Sequence, residues 1–179
     1  LSVNTTLAAA GFDLTLAGGT VAIGDGLSLS ARNLTLAGDI VGAGNLALDA
    51  QQTLAISGSL LTAGALDLGT PSLLALTGSI DSLGDILVAS DLRVHGETTI
   101  TSRAGGNVVF QGEINGGSAY ADSLIVYCSG LTAFLADVGT GVPLYRLQTD
   151  PPGTIQEAPV ANALIVIYGL YVKAHFSAE

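Results

Sequence analysis

Residues 11–20 read GFDLTLAGGT, and residues 31–40 read ARNLTLAGDI. The five-residue core LTLAG thus returns after twenty positions. Set in rows of twenty, one column holds Leu14-Thr15-Leu16-Ala17-Gly18 and then Leu34-Thr35-Leu36-Ala37-Gly38. It continues as Leu54-Ala55-Ile56-Ser57-Gly58 and Leu74-Ala75-Leu76-Thr77-Gly78. Two later copies, Leu92-Arg93-Val94-His95-Gly96 and Val108-Val109-Phe110-Gln111-Gly112, follow at shorter spacings. A second column precedes the first: Leu27/Leu29, Leu46/Leu48, Leu66/Leu68 and Ile86/Val88. A third follows each glycine: Val21, Ile40, Leu60, Ile80, Ile100 and Ile114.

Each column alternates apolar with small or polar residues, the period of a strand with one face inward. Three short strands and their turns use about twenty residues, one circuit of a triangular coil. A single circuit cannot bury its inner face. Stacked circuits can, because each strand pairs with its counterparts about 4.8 Å above and below. The expected fold is all-β: one single-stranded parallel β-helix, wound right-handed, with coils of about twenty residues. The expected core ladder is Leu14, Leu16, Leu34, Leu36, Leu54, Ile56, Leu74 and Leu76. The glycine closing each LTLAG-like strand turns the corner, where positive φ or close backbone approach is tolerated. Helical repeats would need long amphipathic segments, and the leucine-rich pattern L-x-x-L-x-L-x-x-N does not occur.

The chain reads as one domain over residues 1–179. Regular coils fill 1–102, irregular coils with a proline-rich loop fill 103–159, and 160–179 form an apolar C-terminal strand or tail. Within the irregular part, ADSLIVYCSG (121–130) is echoed by ANALIVIYGL (161–170), forty residues on, as two circuits would require. Pro143, Pro151, Pro152 and Pro159 fall between or beside them, so this stretch is expected to be an outward loop or distorted circuit.

Composition agrees with many short strands joined by tight turns. Of 179 residues, 24 are glycine and only 11% are charged, too few to clothe the outer faces of helices. The formal charge of −10 argues against a nucleic-acid partner, which needs clustered Lys and Arg. Arg32, Arg93, Arg103, Arg146 and Lys173 are scattered. The longest apolar run, residues 163–172, is short of the roughly 20 needed to span a bilayer, so no membrane insertion is expected. Cys128 is the sole cysteine, excluding an internal disulfide and reading as a buried inert thiol. Leu1 opens the chain without Met or a basic leader, so the sequence reads as a processed or excised piece.

The rows of LTLAG and LALDAQQTLAISGSL type resemble the β-helical shafts of filamentous-haemagglutinin-like adhesins. The stretch from GGNVVFQGEINGG to Asp150 resembles a repeat of giant bacterial surface proteins. There, Asp137-Val138-Gly139, Pro143-Leu144, Leu147 and Thr149-Asp150 fall in the order of that repeat. The resemblance implies a secreted or bacterial cell-surface location and a role in adhesion or extracellular matrix. Both ends of the solenoid lack a polar cap, so assembly into extracellular filaments is a further expectation. The expected partners are further copies, stacked head to tail or laterally, or a host or matrix surface. The asparagine-proline motifs of that family's secretion domain are missing from this chain.

The densest polar cluster is Asp91-Leu92-Arg93-Val94-His95-Gly96-Glu97. With Leu92 and Val94 inward, Asp91, Arg93, His95 and Glu97 would share an outer face, where β-helical glycan-cleaving enzymes carry acids and arginines. A solvated strand with ordinary charges explains the same residues, and no second acidic cluster completes a site. No calcium-repeat pattern, P-loop, dinucleotide motif or G-x-S-x-G occurs, so no cofactor, metal or catalytic residue is assigned. Asp25, Asp39, Asp81 and Asp85 read as turn-stabilising residues. His95 and His175 stand too far apart to read as a metal pair.

The outward positions of the LTLAG column are Thr15, Ala17, Thr35, Ala37, Ala55, Ser57, Ala75 and Thr77. Four rows of small uncharged residues make a flat face that desolvates cheaply, a candidate packing or surface-binding ladder. Ice-binding solenoids present regular threonine rows, and this is the alternative reading of the same face. Overall the sequence points to a non-enzymatic structural element.

Overall fold

The computed structural model describes residues 6–24, 26–149 and, for the backbone alone, 165–167. Regular structure there is entirely β-strand, and every strand pairing is parallel. In chain order the strands are β1 (Thr6–Ile23), β2 (Leu27–Gly42), β3 (Leu46–Thr62), β4 (Leu66–Asp67) and β5 (Leu73–Ser82). They continue as β6 (Ile86–Val88), β7 (Asp91–Val94), β8 (Glu97–Ser102), β9 (Val108–Phe110) and β10 (Ile114–Gly116). The last are β11 (Ser123–Cys128), β12 (Thr132–Phe134), β13 (Arg146–Thr149) and β14 (Ile165–Ile167). They wind into a β-solenoid of about seven turns with coils near twenty residues.

Each coil has three faces. The leading face carries Leu27/Leu29 and its copies, the middle face carries LTLAG, and the trailing face carries Ile40 and its copies. The register is like on like: Leu14, Leu34, Leu54 and Leu74 are consecutive partners on the middle face, as are Leu16, Leu36, Ile56 and Leu76. On the trailing face Val21, Ile40, Leu60, Ile80 and Ile100 follow one another. A shift of one residue would turn every leucine outward, so the alternation itself fixes this pairing.

Leu34, Leu36, Leu54, Leu74 and Leu76 are sealed from solvent, and Ile56 nearly so. Burying each is worth about 1.5–3 kcal/mol, against roughly 1 kcal/mol for a typical net hydrogen bond. The apolar ladders therefore dominate the stability. Leu14 and Leu16 depart from the expectation: they are only half-buried, packed against the core from the outermost described coil. Nothing described stacks on their far side.

The corner glycines carry the expected geometry in coils two to four. Gly38, Gly58 and Gly78 have φ of 110°, 118° and 115°. A Cβ on Gly58 would stand 2.5 Å from the Gly38 carbonyl oxygen. Cβ atoms on Gly38 and Gly78 would likewise strike the carbonyls of Gly18 and Gly58. Only glycine lets successive coils approach this closely.

The structure corrects the column assignment beyond residue 100. Val108–Phe110 is not a later LTLAG copy: it pairs with Ile86–Val88 and continues the leading face. Ile114 continues the middle face, paired with Leu92, rather than the trailing column. The trailing face resumes instead at Ser123–Cys128, in register with Glu97–Ser102. Residues inserted at the corners lengthen the coils, and the in-out alternation reads identically on all three faces. For the same reason the echo of 121–130 in 161–170 is not two circuits on one face. β11 lies on the trailing face, whereas β14 pairs with β12 on the leading face. The expected distorted circuit is present around Pro143: Val138 and Leu144 stay sealed inside while the intervening chain loops out. Pro151, Pro152, Pro159 and His175 lie outside the described residues, as does Asp25.

Candidate functional site

The LTLAG residues place the candidate ladder where the alternation puts it, on the outside of the middle face. One rung series runs Thr15, Thr35, Ala55, Ala75, and the other runs Ala17, Ala37, Ser57, Thr77. Thr15, Ala17, Ser57 and Thr77 are exposed, while Thr35, Ala37, Ala55 and Ala75 are half-buried. The rungs repeat about every 4.8 Å. Threonines stand next to each other only at Thr15 and Thr35, so hydroxyls do not form an extended lattice. What results is a flat strip without charge, bounded above by Arg93, the register partner of Ala75.

The Asp91–Glu97 cluster does not lie on one face. Asp91 and Arg93 belong to β7 and point outward between the buried Leu92 and Val94, as the alternation requires. The chain then turns at Gly96, with φ of 67°, and Glu97 opens β8 on the trailing face. His95 sits at the corner, half-buried, its backbone N–H donating to the Leu76 carbonyl at 2.9 Å. Asp91 Oδ1 accepts the backbone N–H of Glu113 at 3.0 Å. The expected acid, arginine and second acid are thus divided between two faces.

Most of the other polar side chains on the corners are likewise engaged with the next coil. Asp39 Oδ1 accepts the Ser59 N–H at 3.2 Å, and Asn45 Oδ1 accepts that of Ala65 at 2.8 Å. Asp85 Oδ1 accepts both N–H groups of Asn107, and Asn107 Oδ1 accepts the Leu131 N–H at 2.8 Å. Asn115 Oδ1 accepts from Gly141 and Val142, both at 2.9 Å. Asp122, buried, accepts from Gly96 and Ser118, both at 2.6 Å. Asp39 and Asp85 therefore bind the coil above rather than their own turn, and Asp81 pairs with Arg103. In the first coil Asn33 Nδ2 donates to Asp13 at 2.9 Å and Arg32 Nη2 stands 2.9 Å away. The Asn33 hydrogen bond, then those from Arg32, hold the Asp13 carboxyl below the usual carboxylate range.

Two features were missed in the sequence. Thr62, Ser82, Ser102 and Cys128 are register partners on the trailing face, all buried. Ser82 and Ser102 donate to the carbonyls of Gly64 and Gly84 at 3.1 and 2.9 Å, and Cys128 Sγ donates to Gly106 at 3.1 Å. The lone thiol is thus the last rung, among the described residues, of an internal hydroxyl column. Its signal was the spacing Thr62, Ser82, Ser102, twenty residues each. The second feature is an apolar groove on the outer trailing side, lined by Val41, Ala43, Leu61, Ala63 and Leu83 and edged by Asp81 and Arg103.

Among the described residues no three His, Cys, Asp or Glu side chains gather to hold a metal ion. Among the same residues no helix is long and apolar enough to cross a membrane. Compared with known proteins, the chain matches no family model, and neither a curated protein nor a solved structure matches it.

Proposed function

We propose that this β-solenoid is a structural and adhesive shaft segment of a secreted or cell-surface bacterial protein, without catalytic activity of its own. The observation carrying this reading is how the polar side chains are used. Asp39, Asn45, Asp85, Asp91, Asn107, Asn115 and Asp122 each accept a hydrogen bond from backbone of another level or of the adjoining loop. Catalysis needs such groups convergent and aimed at a ligand; here they are distributed along the axis and aimed at the fold. The flat middle face is left as the contact surface, toward a host or matrix surface or, laterally, toward another shaft. The resemblance of the repeats to haemagglutinin-like exoproteins supports the location and the role.

Beads carrying the purified chain should be retained under flow on glass coated with extracellular-matrix protein or polysaccharide. Thr15→Lys combined with Ser57→Lys, both exposed and not register partners, should lower retention several-fold and leave the melting temperature unchanged. Retention no better than that of beads carrying serum albumin would remove the adhesive half of the proposal. Depolymerisation of an acidic polysaccharide by the chain, abolished by Arg93→Ala, would replace it with a glycan-acting enzyme.

A further inference from the structure

Most of the large apolar side chains left exposed gather around one corner of the solenoid. Of nine among the described residues, five lie where the trailing face turns into the leading face: Val41, Leu61, Leu83, Leu87 and Leu135. On the trailing face Val41 and Leu61 are register partners, and their column continues upward as Asp81 and Thr101. On the leading face the outward column rises from Ala47 and Asp67 to Leu87, Val109 and Ala133. The apolar positions are thus low on the trailing face and high on the leading face. Leu83 and Leu87, on either side of the corner, join them into one oblique band.

Charges of opposite sign flank the band. Below it on the leading face stand Asp49 and Asp67, both exposed. Asp49 accepts from the Ser30 hydroxyl and Asp67 from the Gly69 N–H. Neither has an ion-pair partner among the described residues. Above the band on the trailing face stands Arg103, its side chain 59% exposed. Its Nη2 meets Asp81, and a guanidinium has further donors to give. Asp85, at the corner itself, turns Oδ1 toward the two N–H groups of Asn107 in the coil above.

We propose that this band is the contact between two copies of the chain, related by a two-fold axis that runs along the band, so that the two solenoids cross. A two-fold contact lays the same patch on itself. With the axis along the band, leucine meets leucine, and each flank faces the opposite flank of the other copy. Arg103 then stands against Asp67 of the partner subunit, and the symmetry makes this pairing twice. An axis across the band would instead lay each aspartate flank on its own copy, and like charges set together are costly. The charges therefore select both the occupant and its orientation, while the exposed leucines supply the apolar area that association removes from water. The contact lies away from the middle-face strip and stands or falls without it.

Sedimentation velocity of the full chain should show a monomer–dimer equilibrium, with dimer predominant at about 0.5 mM. Leu83→Glu, at an exposed position, should raise the dissociation constant at least about tenfold and leave the melting temperature within about 1 °C. Asp67→Arg alone and Arg103→Glu alone should each be monomeric, because each sets like charges together. An equimolar mixture of these two variants should dimerise as tightly as the parent chain. Arg103→Glu also gives up the pair with Asp81, an exposed contact that contributes little to stability. Recovery in the mixture requires that positions 67 and 103 meet across copies, which a purely structural role for either residue does not produce. A parent chain that stays monomeric at every concentration overturns the proposal, whether the band then serves another protein, a lipid surface or another segment of the same chain. Dimers that survive Leu83→Glu, or that fail to return in the mixture, overturn it as well, because the copies then meet elsewhere.

Discussion

Single side chains in this fold are judged by what repeats above and below them. Leu36 is sealed between Leu16 and Ile56, so Leu36→Asp should cost at least about 4 kcal/mol in urea denaturation, as an unpaired buried charge. Leu16→Asp, on the half-open first coil, should cost about 2 kcal/mol or less. Equal losses would mean that the first coil is as closed as the second. Cys128 is the last described rung of a hydroxyl column, so Cys128→Ser should be close to neutral, whereas Cys128→Val should lose about 1 kcal/mol by leaving the Gly106 and Leu131 carbonyls without their donor. A thiol reagent should label Cys128 only as fast as the protein unfolds. Asp13, held below the ordinary carboxylate range, contributes stability that is present above its unfolded pKa. That contribution is lost as the pH falls through the lowered folded value. Asp13→Asn should therefore flatten the acid limb of the stability profile, and NMR titration should find the Asp13 carboxyl titrating low.

At the scale of the coil, stability is close to a sum of repeats and nearest-neighbour contacts. Deleting residues 41–60 joins Ile40 to Leu61, and Leu61 already stands in register with Val41. The shortened chain should remain folded by circular dichroism, with a lower melting temperature, while deletion of residues 46–55 should unfold it. This register was legible because the middle face repeats every twenty residues from Leu14 to Leu74 and the inward places are held by aliphatic residues. It failed at Val108–Phe110, where corner insertions changed the coil length without changing the alternation. The candidate surface was legible for the same reason as the core, since outward follows from inward. The hydroxyl column was not, because Thr62, Ser82 and Ser102 each look like a polar residue at the end of a strand. Only the stacking shows that they face inward. Asp91 to Glu97 read as one face because a single glycine, Gly96, conceals a corner.

Across the described coils, the first differs from those stacked on it. Amides of Leu34–Ala37 and Leu54–Ser57 lie between coils on both sides and should exchange with deuterium most slowly. Those of Asp13–Ala17 should exchange faster, and mass spectrometry of peptides from the two regions would show the gradient. Uniform protection would mean that the first coil is covered on its outer edge.

The inner rungs also change in kind along the axis. On the leading face Leu29 and Leu48 give way to Val88 and then to Phe110 and Phe134, whose rings lie parallel with centroids 4.9 Å apart. That separation is the coil spacing, so the rings form a column in the bore. A leading face lined by leucine in the early coils and by two stacked benzene rings in later ones has a polarity. Sliding the chain by one level would push a ring into a leucine-sized slot and leave a void where the ring had been. The repeats are thus alike enough to stack but not interchangeable, and the phenylalanine column acts as a key that fixes which coil sits where.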